Sequence, residues 1–343
     1  MRALLACSII LTYIALAPES NAMPHVTKQE QIDDKLAFEC HHEADILNIV
    51  NQEADTLYKY GLFIQQKDGP KDFNEAARYY RIAAAHNHYK AATNLQMLIT
   101  QGLANSPSGQ KEAIALVEKF MTLGVPGAYY DMAHYLEAGY GVEQSQEKAN
   151  AYFRKAADLG SPDAQYYVAT LLGRIKGGAV VMEQMQRCAA SQGNASAARE
   201  LAGYLRVGKK YDEAVVIYHQ GTKSGDFYSA RRLSKAFEGP SSPEDLYYMQ
   251  LKTDNERSNR YLAISKFLQK NEQLGPKLPD IDSIVPLPPA KLPAWDGTFQ
   301  WQKERDAKTA PDKPDDTLLQ RLSKEKGLVT SAKAKWPDMQ KHG

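Results

Sequence analysis

The stretch AYYDMAHYLEAGYGVEQSQEKANAYFRKAADLG, residues 128–160, decides the fold of this 343-residue chain. Small and apolar side chains recur in it at helical spacing on both sides of GYGV at 139–142, which is a turn signal. The segment GSPD at 160–163 ends the second helix and begins the next one. The stretch therefore predicts two helices joined by a short turn.

The same frame recurs along the chain. Its leading alanines stand at intervals of 37, 37, 36, 33 and 33 residues, at Ala54, Ala91, Ala128, Ala164, Ala197 and Ala230. One helix pair cannot bury its own apolar face, but stacked pairs bury a continuous core. The sequence predicts an all-α fold, a right-handed α-solenoid of five to six helix–turn–helix repeats over residues 54–240. The fourth unit departs from the frame at 173–178, where the GYGV-type turn is missing.

The repeat motif is A-x-x-x-L/M-A/G-x-x-Y/L-x-x-G-x-G-V, followed by K-A-x-x-Y/W-Y/F-x-K-A-A-x-x-G, and it resembles the Sel-1-like repeat family, which is related to tetratricopeptide repeats. KDGPKDFNEAARYYRIAAAHNHYKAATNLQ at 67–96 and KLPDIDSIVPLPPAKLPAWDGTFQW at 277–301 are similar to an exported subset of that family. Members of the subset are found beside type VI secretion phospholipase effectors, which they bind and neutralise as periplasmic immunity proteins. The resemblance implies the same role, with a secreted phospholipase effector as the partner.

The partner-binding surface is predicted by analogy with tetratricopeptide repeats. Their concave face takes side chains two, six and nine positions after each leading alanine. Tyr and Arg, which are enriched at binding hot spots, are frequent at these positions. We call the set the predicted face: Tyr130, His134, Glu137, Tyr166, Thr170, Arg199, Arg206 and Arg232. Its three arginines could pair with carboxylates of a partner, whereas the alternative for each residue is an ordinary solvated surface.

The N-terminus has the pattern of a secretory signal. A positive start is followed by an apolar run at 3–17 and by Ser20-Asn21-Ala22, a small-x-small cleavage site. Cleavage after Ala22 and a periplasmic location are therefore predicted. Cys7 lies too early in the apolar run to form a lipoprotein box.

Cys40 and Cys188 remain after this cleavage. They are either two buried thiols or a disulfide, which export to an oxidising compartment permits. Because solenoid repeats touch only their neighbours, a disulfide requires the N-terminal segment to fold back along the array.

The flanks divide the chain further. A proline-dense stretch carries six apolar side chains, and this pattern predicts an extended segment, the strap, that packs on the repeats. A short helix is expected at 316–326. The predicted regions are a signal peptide at 1–22, a capping helix or arm at 23–53, the repeats at 54–240, a helical cap with the Pro-rich strap at 241–302, and a charged, partly disordered tail at 303–343.

No catalytic motif is present: G-x-S-x-G, H-E-x-x-H and the Walker loop are all missing. The run CHHE at 40–43 lacks a second ligand cluster, so we expect no metal and no cofactor. The net charge of +1 lacks the excess of positive charge that is typical of nucleic-acid-binding proteins. No run after the signal is apolar enough for stable membrane insertion. Protein binding without catalysis is the predicted function; the alternative is a periplasmic scaffold or adaptor at the cell envelope.

Overall fold

The structure, a computed structural model, describes residues 37–47 and 49–328. These ranges contain sixteen α-helices, one short 3-10 helix and no strand. The predicted signal peptide, its cleavage site and residues 329–343 of the tail lie outside the described residues.

The helices are numbered in chain order. Their bounds are α1, Glu43–Ile46; α2, Gln52–Gln66; α3, Phe73–Ala85; α4, Tyr89–Thr100; α5, Gly109–Thr122; α6, Pro126–Ala138; α7, Gln146–Asp158; α8, Pro162–Leu172; α9, Ala179–Ser191; α10, Ala195–Val207; α11, Tyr211–Lys223; α12, Phe227–Phe237; α13, Asn255–Lys270; α14, Ile281–Ile284; α15, Gln300–Ala307; and α16, Asp316–Glu325.

Helices α2 to α13 form six successive pairs, and each pair also contacts the next one along the chain. All six leading alanines are fully buried in the first helices of these pairs. Alanine at a helix crossing lets the two backbones approach closely, and larger side chains fill the surrounding grooves. The predicted α-solenoid is therefore confirmed, with the repeat register read from the sequence.

The first helices of most repeats begin at a polar side chain that accepts a backbone N–H. Ser161, Asn194 and Asp226 cap α8, α10 and α12 in this way, and His88 caps α4. Helix α6 differs, because its N-cap residue is Val125, which offers no acceptor. Its first turn needs an acceptor from elsewhere in the chain.

The fourth pair forms despite its unusual turn. Helix α8 ends at Leu172, the turn occupies 173–178, and α9 begins at Ala179. Met185 and Ala189 on α9 are fully buried. The helix pair is thus held by its apolar face and does not depend on the GYGV-type turn.

The C-terminal cap and strap follow α12. The sequence predicts a helical cap from residue 241, but residues 239–254 contain no helix, and α13 then packs against α12. The strap is anchored by four buried side chains, Leu278, Ile281, Ile284 and Val285. It is not extended throughout, because the proline-free interval at 280–285 forms the single helical turn α14.

Part of the expected tail lies on the first repeat. Helix α16 buries Leu319 and Leu322 and contacts α3. His86 Nε2 lies 2.9 Å from the carbonyl oxygen of Leu322, and Arg321 pairs with Glu53. The described portion of the tail is thus ordered by apolar burial and by contacts with the repeats.

Candidate functional site

The central part of the predicted face forms one cluster on α6 and α8. The rings of Tyr130 and His134 meet edge to face at 4.6 Å. His134 Nδ1 lies 3.3 Å from Glu137 Oε2, and the Tyr167 hydroxyl donates to Glu137 Oε1 at 3.1 Å. These side chains are all partly exposed. The structure therefore brings Tyr130, His134 and Glu137 together and adds Tyr167, which the sequence analysis missed.

Three other members of the predicted face bind their own chain. The Tyr166 hydroxyl donates to Glu200 Oε1 at 2.6 Å. The Thr170 hydroxyl donates to a backbone carbonyl one helical turn before it, at 2.7 Å. Arg199 Nη1 donates to Asp226 Oδ1 at 2.7 Å. These polar groups are partly satisfied within the protein and are less free to bind a partner.

The remaining two members are Arg206 and Arg232. Neither forms an ion pair with any residue in the described part of the chain. The guanidinium carbon of Arg232 lies 5.1 Å from the centre of the Tyr247 ring, within the range of a cation–π contact. Whether any residue of the predicted face contacts a partner stays a prediction.

An N-terminal arm, residues 38–47, runs along the turns that connect successive repeats. Cys40 forms a disulfide with Cys188 at the end of α9. The side chain of Gln165 donates to the carbonyl oxygen of His41 at 3.0 Å. The backbone N–H of Glu43 donates to Gln192 Oε1 at 2.8 Å. The arm therefore folds back along the array, which is the path that a disulfide between these cysteines requires.

Glu43 supplies the acceptor that α6 lacks. Its Oε1 accepts from the backbone N–H of Gly127, in the first turn of α6, at 3.0 Å. A carboxylate at this position also interacts favourably with the helix dipole. Burial raises the pKa of Glu43, and the hydrogen bond from Gly127 opposes that rise. Gly127 admits no side chain, since an added Cβ would lie 2.2 Å from Tyr89 Oη.

A second carboxyl group lies close by. The Tyr89 hydroxyl donates to Asp131 Oδ2 at 3.5 Å. Burial raises the pKa of Asp131 to about 7, and the hydrogen bond from Tyr89 opposes this rise. Asp131 and Tyr167 both stand three positions after a leading alanine, and both contact the preceding repeat. A polar residue at that position was the sequence signal that could have identified them.

Metal-ligand atoms of Cys40, His42 and Cys188 lie within 4.8 Å of one another. The two sulfurs are bonded to each other and offer no thiolate, the form in which cysteine binds metals. The imidazole of His42 is then the single free ligand, whereas structural zinc sites use four. In the oxidised protein this group is a covalent link between the arm and the fourth repeat.

One arrangement around the buried side chains of His219 and Tyr261 has the order of a catalytic relay. His219 Nδ1 lies 2.7 Å from the Tyr261 hydroxyl, and His219 Nε2 lies 2.9 Å from Asp282 Oδ1. Burial lowers the pKa of His219, and Asp282 opposes that effect. Tyr261 is fully buried, so its hydroxyl faces no space that could hold a substrate. The arrangement instead joins α11 and α13 to the strap.

Within the described ranges, no helix combines the length and the apolar character needed to cross a membrane.

Comparisons with known proteins fit this architecture. A family model described as the Sel1 repeat matches residues 54–88 and 126–161. A second model, described as a domain of unknown function, DUF6396, matches residues 229–334. No match was found among curated proteins.

Solved structures from Pseudomonas aeruginosa are similar over most of their length. The immunity protein PA5088 is 28% identical with a TM-score of 0.60, and the match covers 74% of this chain and 94% of that one. The immunity protein Pa5087 is 25% identical with a TM-score of 0.57, and the match covers 74% and 95%. The protein PA5086 is 27% identical with a TM-score of 0.57 and the same coverage. This chain thus contains Sel1 repeats and shares its all-helical fold with solved immunity proteins.

Proposed function

We propose that this chain is a periplasmic immunity protein that binds and neutralises a type VI secretion phospholipase effector. The similarity to two proteins named immunity proteins, over 94% and 95% of their lengths, carries this proposal. That similarity reaches beyond the two matched Sel1 repeats at 54–88 and 126–161. It thus supports a shared function more than a generic repeat match would.

The proposed mechanism is binding without bond making or breaking. A repeat array keeps its core intact while its surface residues vary, so it can be adapted to one partner. The predicted face offers Tyr130 and His134 as partly exposed aromatic groups held by Phe153, whose ring lies 5.6 and 4.8 Å from theirs. Rigid aromatic side chains of this kind lose little conformational entropy on binding. The complex would cover the active-site cleft or the membrane-facing lid of the effector.

The disulfide supports the periplasmic part of the proposal. Disulfides persist in oxidising compartments such as the bacterial periplasm and are rare in the cytosol. The bridge joins Cys40 to Cys188 across most of the repeat array. Cell fractionation followed by N-terminal sequencing tests this part: we expect a periplasmic protein that begins at Met23. A cytoplasmic protein that retains Met1 would refute it.

Co-expression tests the inhibitory role. The proposed phospholipase partner is directed to the periplasm, with or without the present protein, and survival and co-purification are measured. We expect the protein to restore growth and to co-purify with the phospholipase. The double variant Tyr130→Ala/His134→Ala should weaken both effects, whereas Val216→Ala, an exposed residue of α11, should not. Persistent toxicity together with a lack of association for the unmodified protein would overturn the proposal.

A further inference from the structure

Helices α10 and α12 place arginines near the side chain of Tyr218 on α11, which is 2% exposed. Burial raises the pKa of the Tyr218 phenol, and the charges of Arg232, Arg206 and Arg199 oppose that rise. The geometry places these groups together. Gly203, one helical turn before Arg206 on α10, faces Tyr218 Oη. The guanidinium carbon of Arg199 lies 5.3 Å from the centre of the Tyr228 ring, one helical turn before Arg232 on α12. The charge of Asp226 adds to the effect of burial and raises the pKa of Tyr218.

Asp226 is fully engaged elsewhere. Its Oδ1 accepts from Arg199 Nη1 at 2.7 Å. Its Oδ2 accepts from the backbone N–H of Ser229 at 2.8 Å and from the Ser229 hydroxyl at 2.6 Å, which caps α12. Because Asp226 is 6% exposed and fixed by these bonds, it cannot turn to Arg206 or Arg232. Those two charges have no counter-ion in the described part of the chain.

The donors in this region are also unsatisfied. Arg232 Nη1 is buried and has no hydrogen-bond partner within the described residues, although the guanidinium is held over the Tyr247 ring. The Tyr218 hydroxyl forms no hydrogen bond with a described residue and is available to a ligand. Buried donors are normally paired, so an unpaired one beside a positive charge suggests that an anionic acceptor is missing. Gly203 leaves space here, since even an added Cβ would stay 3.7 Å from Tyr218 Oη.

We infer that Arg206, Arg232 and Tyr218 form a binding site for a carboxylate on an acidic segment of the protein partner. A guanidinium presents two parallel N–H donors that match a carboxylate, and the phenol adds a third donor. The exposed aromatic rings of Tyr204 and Tyr228, at 43% and 52% exposure, flank the site on α10 and α12. Exposed tyrosines and arginines together are typical of protein interfaces.

The inference rests on the proposed role in protein binding and specifies the chemistry of the partner. Fluorescence anisotropy with a labelled hexaglutamate peptide and the whole protein tests it directly. We expect binding of hexaglutamate and none of hexaglutamine. Arg206→Gln, Arg232→Gln and Tyr218→Phe should each weaken binding, the arginine variants by roughly tenfold. Arg231→Gln is the matched control, because Arg231 is exposed beside Arg232 and should leave affinity unchanged.

Several results would overturn the inference. These are no hexaglutamate binding, equal loss in the Arg231 control, or no loss in the Arg206 variant. Equal arginine-dependent binding to phosphatidylglycerol vesicles would assign the site to lipid and refute a protein partner. Circular dichroism checks the fold, and the Arg206 and Tyr218 variants decide the question if Arg232→Gln unfolds.

Failure of the inference can be separated from failure of the proposed function. If the unmodified protein protects cells from the effector and the double variant Arg206→Gln/Arg232→Gln protects equally well, the carboxylate site is wrong and the immunity role stands. If the unmodified protein does not protect, the immunity role fails, and the peptide measurement still decides whether the site binds carboxylates.

Discussion

Removing the disulfide should destabilise the protein by several kcal/mol. The double variant Cys40→Ala/Cys188→Ala opens a loop with a sequence separation of 148. A cross-link of that span lowers the chain entropy of the unfolded state by an amount equivalent to about 5 kcal/mol at 25 °C. The variant also releases the arm, whose Glu43 caps α6. Both effects destabilise the folded protein, so we expect their free-energy costs to add.

Urea unfolding followed by circular dichroism measures the loss. We expect the unfolding midpoint of the double variant to fall well below that of the unmodified protein. Dithiothreitol should lower the midpoint of the unmodified protein to the same value and should leave the variant unchanged. Val180→Ala, at an exposed site on α9, is the matched control and should unfold like the unmodified protein. A difference below about 1 kcal/mol between the double variant and the oxidised protein would refute the loop-entropy argument.

Four further substitutions are predicted to change stability, each measured by urea unfolding. Gly127→Ala should lower the free energy of unfolding by about 1–3 kcal/mol, because the added Cβ would lie 2.2 Å from Tyr89 Oη. Gly203→Ala, whose added Cβ has its nearest neighbour at 3.7 Å, should raise the free energy of unfolding by about 0.5–1 kcal/mol. Equal stabilities of the two variants would contradict both estimates. Burial raises the pKa of Asp131 from 3.8 to about 7, so the folded state keeps a proton that the unfolded state has lost, and the free energy of unfolding should fall from about pH 4 to about pH 7 and level off above it. Asp131→Asn should be more stable than the unmodified protein at pH 8 and should lose that part of the pH dependence, and an unchanged pH profile would refute the assignment. Leu322→Ala should cost about 2–5 kcal/mol if α16 is integral to the fold, and a loss near zero would show that it is not.

The repeat register could be read from the sequence because it depends on short-range periodicity. Each leading alanine must be small to fit a helix crossing, and each one is buried where the spacing placed it. The resemblance to the Sel-1-like family followed from the same positions and agrees with the matches at 54–88 and 126–161. Local patterns of this kind are complete within one unit of about 35 residues.

The path of the arm could not be read in the same way. Its contacts join residues about 150 positions apart, such as Glu43 with Gln192, and no periodic pattern encodes them. The helical turn α14 was not predicted for a different reason: the many prolines of the strap indicated an extended chain throughout. The interval at 280–285 is free of proline and can therefore close one helical turn.

Residue spacing predicts only some of the contacts within the predicted face. Spacing from the leading alanines placed Tyr130, His134 and Glu137 on one helix face, and the structure shows these side chains in contact. It could not show that Asp226 neutralises Arg199, because Asp226 is the cap of the following repeat. Charge pairing between neighbouring repeats depends on side-chain directions, which residue spacing alone does not specify.

The tethered arm has a consequence for how this protein can evolve. Solenoids commonly change length by duplicating or losing a unit, since each unit contacts only its neighbours. Here the eleven residues that lead from Cys40 to Asn51 can reach at most about 40 Å, and they must span from the start of α2 to the end of α9. An added unit between those helices would lengthen the path from the start of α2 to Cys188, while the length of the connecting segment would stay the same. We therefore expect units to be duplicated or lost more readily outside that interval than within it.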